Sequence, residues 1–339
     1  MAEALEVPQA PSPPPQSSSL DSEDTSFMPP WTEATCSARL ALLWYHFFIY
    51  LPVVILISLI LAMPVIYFLL YFLPMVVSEN DRSELYFWHS GREHVRARIV
   101  GSVCLGLEQL FVFLLVWSFY QAVATSPGTV PDTTEWVDLQ AAELTRSHLL
   151  QEKKHTNGAV RWCRSCDIVK PDRSHHCRLC DTCVLKMDHH CPWIANCVGF
   201  YNYKYFVLML TYGMLALWVF CGTFWETVLI ALRDDDRSIS FTFWVTLTYL
   251  LMLVLAFAVT FFWCFHVYLI LNSATTIEYC EKQVRTSDSH PRAKFRYYES
   301  IYKSLQCALG RRPAFWLLPC HYRESDETGL YFVRSHKAV

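Results

Sequence analysis

The sequence predicts an α-helical integral membrane protein. Four transmembrane helices are expected, with a cytosolic, zinc-binding cysteine-rich domain between helices 2 and 3. Three observations carry this prediction. Hydrophobic residues make up 53% of the 339 residues and charged residues only 17%. Four stretches are apolar over at least the ~20 residues that a helix needs to cross a bilayer core. Seven of the fourteen cysteines fall between Cys163 and Cys197. The net charge of −3 gives no reason to expect a nucleic-acid partner.

Residues 1–39 read as a disordered cytosolic tail. "QAPSPPPQSSSLDSEDTS" cannot bury apolar area, and no apolar core of a signal peptide precedes it. Residues 40–120 hold helices 1 and 2. Leu40–Ser78 contains no Asp, Glu, Lys or Arg. It is longer than one span requires, and Pro52, Pro64 and Pro74 interrupt it. We read one long or bent helix, with a tight two-helix hairpin as the alternative. Helix 2 is "IVGSVCLGLEQLFVFLLVWSFY", Ile99–Tyr120. Its Glu108 is a functional candidate, because a carboxylate in a span is costly. The bland alternative is a protonated or paired side chain. Residues 121–203 form the cytosolic loop with the cysteine cluster. Residues 204–271 hold helices 3 (Tyr205–Leu232) and 4 (Phe241–Leu271), and 272–339 form a cytosolic C-terminal segment.

Sidedness follows from Lys and Arg in the connecting loops. The 121–203 loop and the C-terminal segment are basic, whereas "LRDDDRS" between helices 3 and 4 is acidic. The cysteine cluster and both termini are therefore expected in the cytosol; "SGREHVRAR" on the opposite side runs against the rule.

The cysteine cluster contains a repeat. Cys163-x2-Cys166-x9-His176-x6-Cys183 recurs fourteen residues later as Cys177-x2-Cys180-x9-His190-x6-Cys197. Each copy offers three thiolates and one imidazole, a set that suits tetrahedral structural zinc. Two sites consume six of the seven cysteines, and the thiol left over is Cys191. His189 precedes the ligand His190, and Asp188 precedes His189. Cysteine, histidine and aspartate are the parts of an activated nucleophile, although spacing alone does not bring them together. A spare thiol can equally be inert.

At this point the chain resembles the DHHC-type protein S-acyltransferases, or palmitoyltransferases. The resemblance rests on "CRSCDIVKPDRSHHCRLCDTCVLKMDHHCPWIANCVGFYNYKYF", on "TTIE" at Thr275–Glu278, and on "TSPG" at Thr125–Gly128 with Ser126 where aspartate is usual. "YYESIYKSLQCALG" resembles a C-terminal segment of the family, with Ser304 where asparagine is usual. The resemblance implies that Cys191 takes a long-chain acyl group, such as palmitoyl, from acyl-CoA and passes it to cysteines of membrane-associated substrate proteins. It implies His189 as general base, Asp188 as its orienting partner and Thr276 as support for Asp188. It also makes the two zinc ions structural. Lys170, Arg173 and His175 are candidates for the CoA phosphates, against the alternative of solvated surface charges. The expected location is an endomembrane, Golgi or ER, or the plasma membrane.

Rival readings are a zinc scaffold that recruits partners, a RING-like ubiquitin ligase and a transporter. A scaffold needs neither Cys191 nor His189. The ligand spacings are too short and regular for a RING, and paired intramembrane charges for transport are lacking. Cys280, Cys307 and Cys320 are read as ordinary thiols that could themselves be acylated.

Overall fold

The structure is a computed structural model that describes residues 36–73, 91–131, 160–235, 237–285, 297, 300–321, 328–330 and 332. The N-terminal tail and the 79–90 part of the first interhelical loop lie outside the described residues. The chain divides into two compact units, Met1–His46 and Phe47–Val339. In the first, Cys36–His46 are helical.

Helix α1 (Cys36–Tyr67) runs through Pro52 and Pro64 without a break and continues as a π-helical turn, Phe68–Phe72. The long apolar stretch is thus one helix up to Leu73, and no hairpin forms there. The widened turn leaves the Leu70 carbonyl able to accept from Thr227 Oγ1 at 3.4 Å. Such rescue of freed backbone groups is what makes prolines tolerable within a span. Helix α2 is Gly91–Ala124, α3 Tyr203–Arg233 and α4 Ile239–Leu271. Among the described residues, four segments are long and apolar enough to cross a membrane: Phe47–Phe72, Ile99–Ala124, Tyr203–Arg233 and Ile239–Leu271. Helix α2 extends beyond Tyr120 because nothing stops it before "TSPG". Ser238 caps α4 by accepting from the Phe241 amide at 3.3 Å.

Helix α3 is the centre of the bundle. Phe206, Phe220 and Phe224 on it are fully buried, and α2 and α4 pack along it. By contrast, Trp244, Val254, Phe257 and Phe261 of α4 are exposed, as suits a surface that meets lipid tails. Glu108 is buried in α2, where its Oε2 accepts from Gln109 Nε2 at 2.8 Å; among the described residues Oε1 has no hydrogen-bond partner.

Among the described residues between α2 and α3 lie three short antiparallel hairpins. They pair β1 (Trp162–Cys163) with β2 (Ile168–Val169), β3 (His175–Cys177) with β4 (Thr182–Val184), and β5 (His189–Cys191) with β6 (Asn196–Val198). Their registers are the same: Cys163 faces Ile168, Cys177 faces Thr182 and Cys191 faces Asn196. Each turn places one residue at positive φ, Asp167 (54°), Asp181 (49°) and Ala195 (47°). The fourteen-residue repeat is therefore twofold in metal ligands but threefold in backbone. Cys191 occupies the position of the first cysteine in a third copy, and Ile194 stands where the second would be.

The third hairpin is tied to the helices by two asparagines. Asn202 is fully buried; its Nδ2 donates to Cys197 O at 2.8 Å and Ala122 O at 3.3 Å, and its Oδ1 accepts from the Gly199 amide at 2.9 Å. Asn196 Nδ2 reaches Val123 O at 3.2 Å. Gly199 is required by space, since a Cβ there would lie 2.7 Å from Pro127 O and 3.0 Å from Leu185 O. Ser126 accepts from the Gly128 amide at 3.2 Å, so the serine of "TSPG" closes the turn through its hydroxyl.

Beyond α4 come α5 (Thr276–Arg285), α6 (Ile301–Leu309) and a 3-10 turn, Pro313–Phe315. Ser304 is buried on α6 and its hydroxyl meets that of Ser273 at the end of α4. The serine at the position where asparagine was expected thus docks this segment itself.

Candidate active site and metal centres

Strand β5 sorts its three side chains by alternation. His189 and Cys191 share one face, and His190 takes the other, directly across from Cys197. His190 Nδ1 lies 3.6 Å from Cys177 Sγ, 3.4 Å from Cys180 Sγ and 3.5 Å from Cys197 Sγ. A tetrahedral zinc with its usual bond lengths would set such N···S edges at about 3.5 Å. The four groups therefore fit one ion. In the other set, Cys163, Cys166, His176 and Cys183, the Cys166 Sγ–His176 Nδ1 separation is 3.3 Å. Within each set all ligand atoms lie within 4.8 Å of one another. Each set joins the C-x-x-C turn of one hairpin to a cross-strand His–Cys pair of the next, His176 opposite Cys183 or His190 opposite Cys197. That linkage explains the x9 and x6 spacings. Cys191 belongs to neither set.

Cys191 is 4% exposed and sits in the same apolar cluster as Ile194, Val198, Tyr203 and Phe206. Trp193 beside it is exposed. On the shared face, His189 Nδ1 is 2.8 Å from Asp188 Oδ2. With Nδ1–H donating to the carboxylate, Nε2 is left available on the strand face that His189 shares with Cys191. Burial alone would lower the pKa of His189, but the bonds to Asp188 and Cys191 prevail and raise it to about 9. Asp188 is 1% exposed. Burial would raise its pKa, yet His189, His266 and Thr276 together hold it below the usual carboxylate value.

The support for Asp188 comes from the start of α5, where "TTIE" forms a capping box. The Glu278 amide donates to Thr275 Oγ1 at 3.3 Å, and Glu278 Oε2 accepts from the Thr275 amide at 3.0 Å. Thr276 is then the first helical residue, with an amide that has no partner inside the helix. That amide donates to Asp188 Oδ1 at 3.0 Å, and Thr276 Oγ1 donates to Asp188 Oδ2 at 2.7 Å. The carboxylate thus rests at a helix N-terminus, where the aligned peptide dipoles favour negative charge. A cavity of about 20 Å³, room for one water, adjoins it between Arg173, Lys186, Tyr203, Ser273 and Ser304.

Arg173 corrects an expectation. It is not a surface group for phosphates, because it is 1% exposed. Its Nε donates to Glu278 Oε1 at 2.6 Å and its Nη2 to Glu278 Oε2 at 2.9 Å and Ser273 O at 3.0 Å. The guanidinium also lies 4.1 Å from the centre of the Tyr297 ring and 5.2 Å from that of Phe332. Lys170 and His175 remain partly exposed on the cysteine-rich module.

One residue escaped the sequence reading. His266 of α4 is fully buried, 6.0 Å from the His189 ring centre, and its Nδ1 meets Tyr203 Oη at 3.3 Å. The available signal was a histidine in an otherwise apolar span. Lys204 stands at the start of the span Tyr203–Arg233. It is fully buried and donates to Phe315 O at 2.8 Å.

These features define a multi-pass membrane protein that carries a Cys–His–Asp constellation on a module with two metal-binding clusters. Residues 156–283 match the DHHC palmitoyltransferase family. The chain is 36% identical over 241 residues to the probable protein S-acyltransferase 14 of Arabidopsis thaliana, covering 64% of this chain and 72% of that one. It is 28% identical over 239 residues to palmitoyltransferase ZDHHC15A of Danio rerio, covering 66% and 72%. With palmitoyltransferase ZDHHC15 of Xenopus laevis the identity is 33% over 226 residues, 61% of this chain and 65% of that one. The chain belongs to the DHHC palmitoyltransferase family and is a protein S-acyltransferase.

Proposed function

We propose that Cys191 is the nucleophile of a two-step acyl transfer from a long-chain acyl-CoA, palmitoyl-CoA foremost, to cysteines of membrane-associated proteins. The observation that carries this reading is the line of hydrogen bonds from Thr276 through Asp188 to His189, with Cys191 on the same strand face as His189. The raised pKa of His189, about 9, favours the thiol proton on its Nε2, and the Cys191 sulfur so freed attacks the thioester carbonyl of the donor. The C–S bond to CoA breaks, and the CoA thiolate takes the proton back from His189. A substrate thiol then gives its proton to His189, attacks the Cys191 thioester and leaves Cys191 as the thiol again. Asp188 fixes the tautomer and balances the imidazolium, while Thr276 holds Asp188.

The two clusters hold structural zinc, and the energy of that binding orders a module with little core of its own. The third hairpin keeps Cys191 against the apolar ends of α3 and α4, where a lipid-like acyl chain partitions. Lys170 and His175 serve the CoA phosphates. The module and both termini face the cytosol, in Golgi, ER or plasma membrane. The test is incubation of purified protein with labelled palmitoyl-CoA. A hydroxylamine-sensitive label is expected on the native chain and none on Cys191→Ser. Label of equal strength on Cys191→Ser would reject the assignment, and no label on either would favour a zinc scaffold.

A further inference from the structure

Residues 300–321 include Lys303, Arg311 and Arg312 and no Asp or Glu. All three basic side chains are exposed. Around them the segment also exposes large apolar groups: Ile301 and Tyr302 on α6, then Phe315, Leu317 and Leu318, the last three at 43%, 67% and 41%. Exposed apolar clusters on this scale mark an interaction surface.

The depth of the segment identifies the partner. Three carbonyls of its irregular stretch are held by side chains from the spans: Phe315 O by Lys204 Nζ at 2.8 Å, Leu317 O by Tyr212 Oη, and Pro319 O by Gln121 Nε2 at 3.3 Å. Tyr212 is nine residues into α3, roughly 13 Å along the axis at 1.5 Å per residue. Gln121 lies inside the span Ile99–Ala124. Non-helical backbone at such depth is tolerable only where its polar groups are satisfied, and these three bonds satisfy them. The side chains of Leu317 and Leu318 are exposed beside the module-side ends of these two spans.

We propose that residues 301–320 form a wedge inserted into the leaflet on the side of the cysteine-rich module, and that Lys303, Arg311 and Arg312 form a collar for the headgroups of anionic phospholipid in that leaflet. The collar is coupled to the site. Ser304 meets Ser273 just before the capping box whose Thr276 holds Asp188. The inference stands apart from the role of Cys191, because lipid contact is read without turnover.

The test uses the full chain in nanodiscs of phosphatidylcholine with or without phosphatidylserine. A photo-reactive amino acid placed at Leu317 should cross-link to lipid acyl chains. By native mass spectrometry the protein should retain phosphatidylserine over phosphatidylcholine. Arg311→Gln/Arg312→Gln should weaken that preference roughly tenfold or more, since each cation near an anionic surface is worth about fivefold. Zinc content and the KM for palmitoyl-CoA in lipid-free detergent should be unchanged in this variant. Absence of lipid cross-links at Leu317, or an unaltered lipid preference in the double variant, would overturn the proposal. A raised KM for palmitoyl-CoA in detergent would also overturn it, because the two arginines would then be holding the donor's phosphates.

Discussion

Arg173 and Glu278 lie 105 residues apart in sequence and are joined by two hydrogen bonds, of 2.6 and 2.9 Å, in a nearly solvent-free setting. The pair fastens the cysteine-rich module to the helix that follows the last span. Removing one partner leaves the other charge buried and uncompensated. Arg173→Met or Glu278→Gln should therefore each lower stability by about 3 kcal/mol or more. Denaturant unfolding in detergent measures this. The double variant Arg173→Met/Glu278→Gln should lose less than the two single losses combined, because no orphan charge remains.

Thr276 gives Asp188 both a hydroxyl and an amide hydrogen bond. Thr276→Val keeps the amide and loses the hydroxyl. A hydrogen bond to a charged group is worth about 1.5–3 kcal/mol, so acyl-enzyme formation should slow by about tenfold or more. Thr276→Ser should restore most of the rate, with zinc content constant across the series. Equal rates in native and Val forms would show the hydroxyl to be idle.

Adjacent histidines should separate cleanly. His190→Ala should lose one of two zinc ions and with it the order of the third hairpin. His189→Ala should keep both ions and slow thioester formation by ~10²–10⁴-fold, the usual worth of a positioned base. Raising the pH should recover part of that loss, because hydroxide then removes the proton that the missing base no longer takes. Elemental analysis and thioester yield decide the matter, and zinc loss in His189→Ala would reverse the two roles.

How much of this was legible beforehand depends on the range of the forces involved. The metal sets were legible because ligand spacing in a short hairpin is a local property, and Cys183 and Cys197 simply face the histidines of their own hairpins. The four spans were legible from length and apolarity, and Asp188, His189 and Thr276 from the resemblance. Arg173 was misjudged because its charge suggested solvent, while its partner Glu278 is supplied from beyond two spans. The third hairpin passed unseen as a repeat because Ile194 replaces the ligand that would have announced it. His266 was hidden inside a span whose apolar composition drew the attention.

The linkage of His189 with proton binding gives a stability test. Its pKa in the folded chain is raised to about 9 from the ordinary value near 6.5. The stabilisation from its pairing with Asp188 is therefore complete below pH 6.5, declines between 6.5 and 9, and is gone above 9. The difference in melting temperature between native protein and His189→Gln should be large at pH 6 and small at pH 9.5. Contributions from the metal ligands are common to both proteins. A difference that stays constant over this range would contradict the pairing.

The three hairpins are joined in series, and the order of the joints has a consequence for oxidative damage. Of the two metal-ligand sets only the second includes a residue of the strand that carries Cys191, and one of its members, Cys180, is exposed whereas Cys191 is not. A peroxide arriving from water meets Cys180 first. Once that sulfur is oxidised it no longer ligates, and the terminal hairpin comes loose with its own thiol still reduced. Inactivation by oxidants should accordingly track zinc release rather than modification of Cys191, so that the exposed ligand acts as the fuse of the enzyme.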